Sequence, residues 1–331
     1  MKDTFWQELK KPIMVLAPMA DVTDAAFRRI IAKYGKPDVT FTEFVSTDGL
    51  LSIGRDHLLH NLWFTDAERP IVAQIFGNNP EYFYRVALML QELGFDGIDI
   101  NMGCPERNIV KQGSCAALIQ EPELAQKIIL ECKRGASRLP VSVKTRIGFN
   151  QIETDRWIPR LLEVEPAAIT VHGRTKKEMS DVPAHWDEIA KTVKMRHSSG
   201  SRTLIIGNGD VATIEEAHEK AHEYGVDGVM LGRAIFGNPW LFHTPNSSLT
   251  MGGEGDAIIT VNEKLKVMLE HTVLFEQLFV NIKNFAVMKK HYKAYVSGFD
   301  DAKNLRVALM TAKSASEVAV IVDNFLGEKM V

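Results

Sequence analysis

Eight short apolar runs rich in valine and isoleucine recur roughly every 30 residues, and this repetition constrains the fold more than any other feature. They span residues 13–17, 39–43, 71–75, 97–101, 141–145, 168–172, 203–207 and 228–231. Most lack apolar–polar alternation, as expected of parallel strands buried on both faces. Helix-period segments lie between them. Phe83, Val86, Ala87, Leu90 and Leu93 form one stripe; Leu124, Ile128, Ile129 and Cys132 form another, opened by Pro122 at a first helical turn. Thr213 and Glu216 fit a capping box. Eight strands with intervening helices over about 240 residues predict an α/β fold of the (β/α)8 TIM-barrel type. A doubly wound open sheet is the alternative.

The pattern changes near residue 243. Residues 243–256 are rich in Ser, Thr, Gly and Pro and read as a linker. Beyond it lie helical stripes only: Leu265, Met268, Leu269, Thr272, Phe275 and Phe279, then Val318, Ile321, Val322 and Phe325. The expected organisation is a barrel domain over 1–242, the linker, and a small helical domain over 257–331. Three cysteines without close pairing make neither a disulfide framework nor a zinc knuckle, and no metal site is expected. With no long apolar run and no signal peptide, the expected location is a reducing cytoplasm. A net charge of −3 excludes a globally basic nucleic-acid binder but permits a local basic face.

Barrel active sites form at the C-terminal ends of the strands. Polar residues follow all eight runs, among them Asp21, Glu43, Gln74, Asn101, Lys144, His172, Asn208 and Arg233. The stretch Asn101-Met102-Gly103-Cys104-Pro105 stands out. A cysteine between Gly and Pro at a strand end is either a small buried hydrophobe or a thiol held over a substrate. An ordinary thiol pKa of roughly 8.5 would leave it protonated and able to give a proton. The glycine-containing turns Gly207-Asn208-Gly209-Asp210 and Gly232-Arg233 follow the last two runs, where barrels often bind phosphate; tight turn geometry alone is the competing reading. No GxGxxG or P-loop motif is present. Asp96 and Asp99 flank a strand without a metal-type cluster, so a structural role is expected for both.

Taken together, these motifs resemble the tRNA-dihydrouridine synthase family of FMN-dependent flavoenzymes. The resemblance runs from about residue 13 to 241 and continues more weakly through the tail. It is carried by Ala17-Pro18-Met19-Ala20-Asp21, Thr42-Glu43, Gln74-Ile75-Phe76-Gly77, the Cys104 pentapeptide, Val143-Lys144-Thr145-Arg146, Val171-His172-Gly173-Arg174-Thr175, Gly207-Asn208-Gly209-Asp210 and Gly232-Arg233. It implies that Pro18, Met19 and Ala20 line a flavin, and that Gln74, Lys144 and His172 contact its ring. It also implies that Asn208, Gly209, Asp210, Gly232 and Arg233 hold the ribityl phosphate. NADPH (or NADH) would reduce FMN, hydride would pass to uracil C6, and Cys104 would protonate C5. Asn101 and Arg146 would position the base, extruded from a folded tRNA. In the helical domain Lys289, Lys290 and His291, with Lys283, Lys293, Tyr292 and Tyr295, would grip the tRNA; a solvated lysine face is the competing reading. A monomer without membrane association is expected.

Two departures from the family pattern matter. Cys115 stands in Gly113-Ser114-Cys115-Ala116-Ala117, where glycines and alanines are usual, and reads as an innocent small residue. Glu178, Met179 and Ser180 replace the usual Gln and Tyr before Trp186, which puts substrate positioning in question. Two other functions compete: an FMN barrel acting on a free pyrimidine, in the manner of dihydroorotate dehydrogenases, and an RNA-binding protein whose chemistry is lost.

Overall fold

The computed structural model describes residues 4–243 and 259–328. The expected linker falls almost wholly outside them. Two compact units emerge, one of residues 1–20 with 38–232, the other of residues 21–37 with 233–331. The second unit thus begins before the expected linker and takes the helix Ala25–Tyr34 from between the first two strands.

The first unit is the expected barrel. Its parallel strands are β1 (Ile13–Leu16), β2 (Thr40–Phe41), β3 (Val45–Ser46), β4 (Ile71–Phe76), β5 (Gly97–Met102), β6 (Val141–Arg146), β7 (Ala168–His172), β8 (Leu204–Asn208) and β9 (Gly228–Leu231). Hydrogen bonds link them in the order β1-β9-β8-β7-β6-β5-β4-β2. A bridge from Val15 to Val39, just before β2, closes the ring. All eight apolar runs therefore form staves; the short β3, which pairs with the end of β4, was not legible as a strand. Trp6, from the N-terminal helix Phe5–Glu8, packs with Ile13, Val15, Val39, Phe41 and Val72 in one buried cluster.

Local signals explain the helices. Asn79 caps Pro80–Glu92 by accepting from the Glu81 N–H at 3.0 Å, with Pro80 in the first turn. Thr213 caps Ile214–Tyr224 by accepting from the Glu216 N–H at 3.1 Å. The reciprocal half of the expected capping box is displaced: Glu216 accepts from the Ala212 N–H at 2.7 Å instead. Gly207 on β8 has a spatial role, because a Cβ there would lie 2.5 Å from the Trp186 ring. Its absence lets the indole lie across the strand and donate to the Gly209 carbonyl at 2.9 Å.

The second unit is helical, as expected. Helices Ala25–Tyr34, Val261–Phe279, Met288–Tyr295, Ala302–Leu309 and Ala315–Glu328 contribute to its core. Of the predicted stripes, Leu265, Met268, Thr272, Phe275, Phe279, Val318 and Val322 are buried, and Leu269, Ile321 and Phe325 are partly buried. No helix among the described residues is long and apolar enough to cross a membrane.

Candidate active site

Strands β4, β5 and β6 carry a continuous hydrogen-bonded chain that ends in the turn after β5. It starts at Asp99, which is wholly buried in β5. Asp99 accepts from the Ser142 hydroxyl at 2.6 Å and from Gln74 Nε2 at 2.8 Å. Gln74 Oε1 accepts from Asn101 Nδ2 at 3.0 Å. Asn101 Oδ1 accepts from the N–H groups of Gly103 and Cys104 at 3.0 and 2.9 Å. One buried carboxylate thus anchors the turn that presents Cys104. Burial raises the Asp99 pKa from 3.8 to about 6, against the opposing pull of Ser142, Gln74 and Lys144. Asp99 has structural partners, as expected; they lie on β4 and β6, beyond the reach of local sequence reading.

Asn101 and Arg146, expected to position a substrate, make hydrogen bonds to the protein itself. Arg146 donates from Nε to the Gly103 carbonyl at 2.8 Å, and from Nη1 to the carbonyls of Thr175 and Met179, both at 3.0 Å. It clamps the Cys104 turn to the unusual loop after β7. Burial lowers its pKa to about 10, with Cys104 opposing and Arg174 assisting. In that loop the Thr175 N–H donates to Glu178 Oε2 at 2.7 Å, and the Glu178 N–H to Thr175 Oγ1 at 3.2 Å. Glu178 Oε1 meets His185 Nε2 at 3.1 Å. Met179 has φ +52 and a largely exposed side chain.

Lys144 stands on β6, register partner of Asn101. Its ammonium donates to Asn208 Oδ1 at 3.2 Å. Burial pushes its pKa down to about 8, with Arg146 adding to the effect and Asp99 and Cys104 opposing it. An ammonium bonded to a neutral amide keeps donors for an anionic group. Cys104 is half-buried, and its thiol is more acidic than expected. The neighbouring Cys115 thiol lowers it to about 7, against desolvation.

Around the mouth, His172 Nε2 meets Arg174 Nη1 at 3.2 Å; for that nitrogen to accept, the proton sits on Nδ1. Asn208 Nδ2 donates to the Met230 carbonyl at 2.7 Å, so the Asn208 amide braces Lys144 and β9. The Asp210 carboxylate pairs with Arg174 Nη2 and accepts from the Ala184 N–H at 2.9 Å. Its side chain is therefore committed to the protein, and as an anion it would repel a phosphate; the backbone of this turn is what remains for one. Gly209 has φ +131, and a Cβ there would lie 2.7 Å from Ala184 Cβ. A Cβ on Gly232 would meet Ala17 and Met19 Sδ only at ordinary contact, 3.6 and 3.8 Å. Pro18 and Met19 are half-buried and Ala20 exposed at the end of β1. Arg233 opens the 3-10 helix Arg233–Ile235, at the start of the second unit's main segment.

The family model described as "Dihydrouridine synthase (Dus)" matches residues 15–329. The chain belongs to the dihydrouridine synthase family. It is 39% identical over 328 residues to a "Probable tRNA-dihydrouridine synthase" of Staphylococcus aureus (strain COL), covering 98% of this chain and 96% of the relative. It is 38% identical over 328 residues to "Probable tRNA-dihydrouridine synthase 2" of Bacillus subtilis (strain 168), covering 98% and 97%. The fold is similar to that of histamine dehydrogenase from Rhizobium sp. 4-9, with a TM-score of 0.54 and 12% identity over 85% of this chain and 51% of that one. A similar likeness joins it to 6-hydroxypseudooxynicotine amine oxidase from Pseudomonas geniculata N1, with a TM-score of 0.53 and 13% identity over 73% and 49%. The chain thus spans about half of those two solved chains. The family and barrel expected from the motifs are both borne out.

One expected substrate contact is overturned. His291 is wholly buried, as are Tyr292 and Tyr295. Helix Met288–Tyr295 buries Met288, His291, Tyr292 and Tyr295, the i, i+3, i+4, i+7 stripe of a core-facing helix. That spacing was present in the sequence and outweighs the basic–aromatic reading. His291 packs 4.7 Å from His271 and 5.0 Å from Phe27, ring centre to ring centre, and burial holds it well below the ordinary histidine range. Lys283 lies 3.9 Å from Asp24 with a largely covered side chain. Lys289 and Lys290 are half-buried and Lys293 exposed.

Proposed function

We propose that this protein is a tRNA-dihydrouridine synthase that reduces the C5–C6 double bond of specific tRNA uridines. The observation that carries the reading is a thiol, Cys104, in the turn after β5 beside a buried ammonium, Lys144, on β6, with the Cys104 charge helping Lys144 keep its proton. A thiol gives a proton to carbon, and a buried cation stabilises negative charge on an adjacent ring.

The residues fit FMN by the chemistry of their donors. Lys144 is a buried cation with hydrogen-bonding capacity left over, and Gln74 keeps one further N–H on Nε2 after its bond to Asp99. Lys144, Gln74 and His172 would face the flavin ring, and Pro18, Met19 and Ala20 would line it. The backbone of Asn208, Gly209, Asp210 and Gly232, with the Arg233 guanidinium, would hold the phosphate. When bound, FMN supplies hydride to uracil C6, replenished from NADPH or NADH. Cys104 gives its proton to C5. The Asp99–Gln74–Asn101 chain and the Arg146 clamp fix the turn that aims the thiol. Lys289 and Lys290 serve tRNA phosphates. The protein acts as a cytoplasmic monomer without membrane association.

The test supplies FMN-loaded protein and NADPH with tRNA lacking dihydrouridine, or with free uridine and free pyrimidine bases. Dihydrouridine in tRNA, with negligible turnover of the free compounds, is the expected result. Turnover of a free pyrimidine alone would replace this reading with a small-molecule oxidoreductase.

A further inference from the structure

His172 ends β7 between its register partners, Arg146 of β6 and Asn208 of β8. The chain then doubles back. The Arg174 N–H donates to the His172 carbonyl at 2.7 Å, an i to i+2 bond that turns the arginine towards the histidine. Gly173 admits the His185 backbone beside this turn, because a Cβ there would lie 3.1 Å from the nitrogen and the oxygen of His185. The Gly173 N–H donates to the Asn208 carbonyl at 3.0 Å and ties the turn to β8.

Arg174 is buried, and its guanidinium is held at three atoms. Nε donates to the Val182 carbonyl, Nη2 pairs with the Asp210 carboxylate, and Nη1 lies 3.2 Å from His172 Nε2. Asp210 is itself fixed by the Ala184 N–H at 2.9 Å. A guanidinium has five N–H donors and no acceptor. A proton on His172 Nε2 would meet a second N–H head-on, so the contact selects a lone pair there and leaves the ring proton on Nδ1. An imidazolium, with protons on both nitrogens, is disfavoured for the same reason. Lysine could not do this work, because a single ammonium cannot serve the Val182 carbonyl, the Asp210 carboxylate and the imidazole from one planar fork.

We propose that Arg174 is a positioning residue that holds His172 as the neutral, Nδ1-protonated tautomer at the flavin site. The proposal rests on the reading of the barrel mouth as that site. In this tautomer any hydrogen bond that His172 gives the flavin comes from Nδ1, and the positive charge beside the ring stays with Lys144. Asp210 then serves as the anchor of Arg174. The charges already gathered here act in the same direction: Arg174 helps to lower the pKa of Arg146, the register partner of His172, and a further cation between them would add to that repulsion.

The experiment labels the histidine rings with 15N and reads their nitrogens by two-bond 1H–15N NMR of the FMN-loaded protein at about pH 8, where an ordinary imidazole is neutral. His172→Gln identifies the His172 signals by their loss. In the wild type Nδ1 should be protonated and Nε2 bare, with at most about a tenth of the ring in the other tautomer, the weight of one charge-assisted hydrogen bond. Arg174→Met removes the donors and keeps much of the bulk; the Nε2-protonated share should rise at least about fivefold. A proton on Nε2 in the wild type would overturn the proposal and needs no variant to fold. A folded Arg174→Met with an unchanged spectrum would overturn it too, since packing alone does not choose a tautomer. The spectrum involves neither tRNA nor NADPH. An Nε2-protonated His172 in a protein that binds FMN and forms dihydrouridine would therefore refute only the role of Arg174. A protein that takes up no FMN would refute the underlying flavin reading.

Discussion

Replacing Asp99 by asparagine should make the protein more stable at neutral pH and less active. Asp99 is wholly buried, and burial lifts its pKa from 3.8 to about 6. A carboxyl whose pKa is raised on folding binds its proton more tightly in the native state. Its contribution to stability is present below about pH 4 and is lost as pH rises through about 6. At about 1.4 kcal/mol per pKa unit, the loss across that window is about 3 kcal/mol. Asparagine can keep the geometry: its carbonyl can accept from Gln74 Nε2, and its amide can donate to the Ser142 hydroxyl, which accepts as well as donates. Asp99→Asn should therefore gain about 1–3 kcal/mol at pH 7.5, the lower values reflecting an imperfect fit of the amide. Urea unfolding of both proteins from pH 4 to 8 measures the gain, which should shrink towards pH 4. The same substitution removes the carboxylate that helps Lys144 stay charged. Flavin affinity and uridine reduction should fall, most above pH 7. A gain independent of pH, or a variant less stable than wild type at pH 7.5, would refute the assignment of a buried, charged Asp99.

Three other outcomes follow from the geometry. Asn101→Ala strips the Gly103 and Cys104 N–H groups of their acceptor and leaves Gln74 Oε1 without its partner; it should cost about 2–4 kcal/mol in urea unfolding and lower the rate of uridine reduction. Uridine reduction should decline as pH rises through about 7, where Cys104 loses the proton it must give, and single-turnover rates on tRNA across pH 6–9 would show it. Lys289→Glu should weaken tRNA binding in a salt-dependent manner, whereas His291→Phe should leave binding intact because His291 is buried; filter binding at two salt concentrations separates them.

The barrel was legible because parallel strands buried on both faces leave unalternated Val and Ile runs, and all eight became staves. The polar residues at their ends were legible because barrel chemistry gathers there. What escaped depends on long-range contact. A structural Asp99 was legible, but its partners were not: Ser142 and Gln74 reach it from two other strands. That the hydrogen bonds of Asn101 and Arg146 hold the Cys104 turn was not legible either. The acidity of Cys104 could not be read at all, because Cys115 approaches it only in the fold. His291 is different: its helical spacing with Met288, Tyr292 and Tyr295 was visible, and the run of lysines masked it.

The most direct test of the account is Cys104→Ala in the FMN-loaded protein, given NADPH and tRNA lacking dihydrouridine. Flavin content and its reduction by NADPH should be retained, while dihydrouridine formed per flavin reoxidised on tRNA should fall at least a hundredfold, the scale of a lost general acid. Product at the wild-type rate would contradict the assignment of Cys104 as the proton donor.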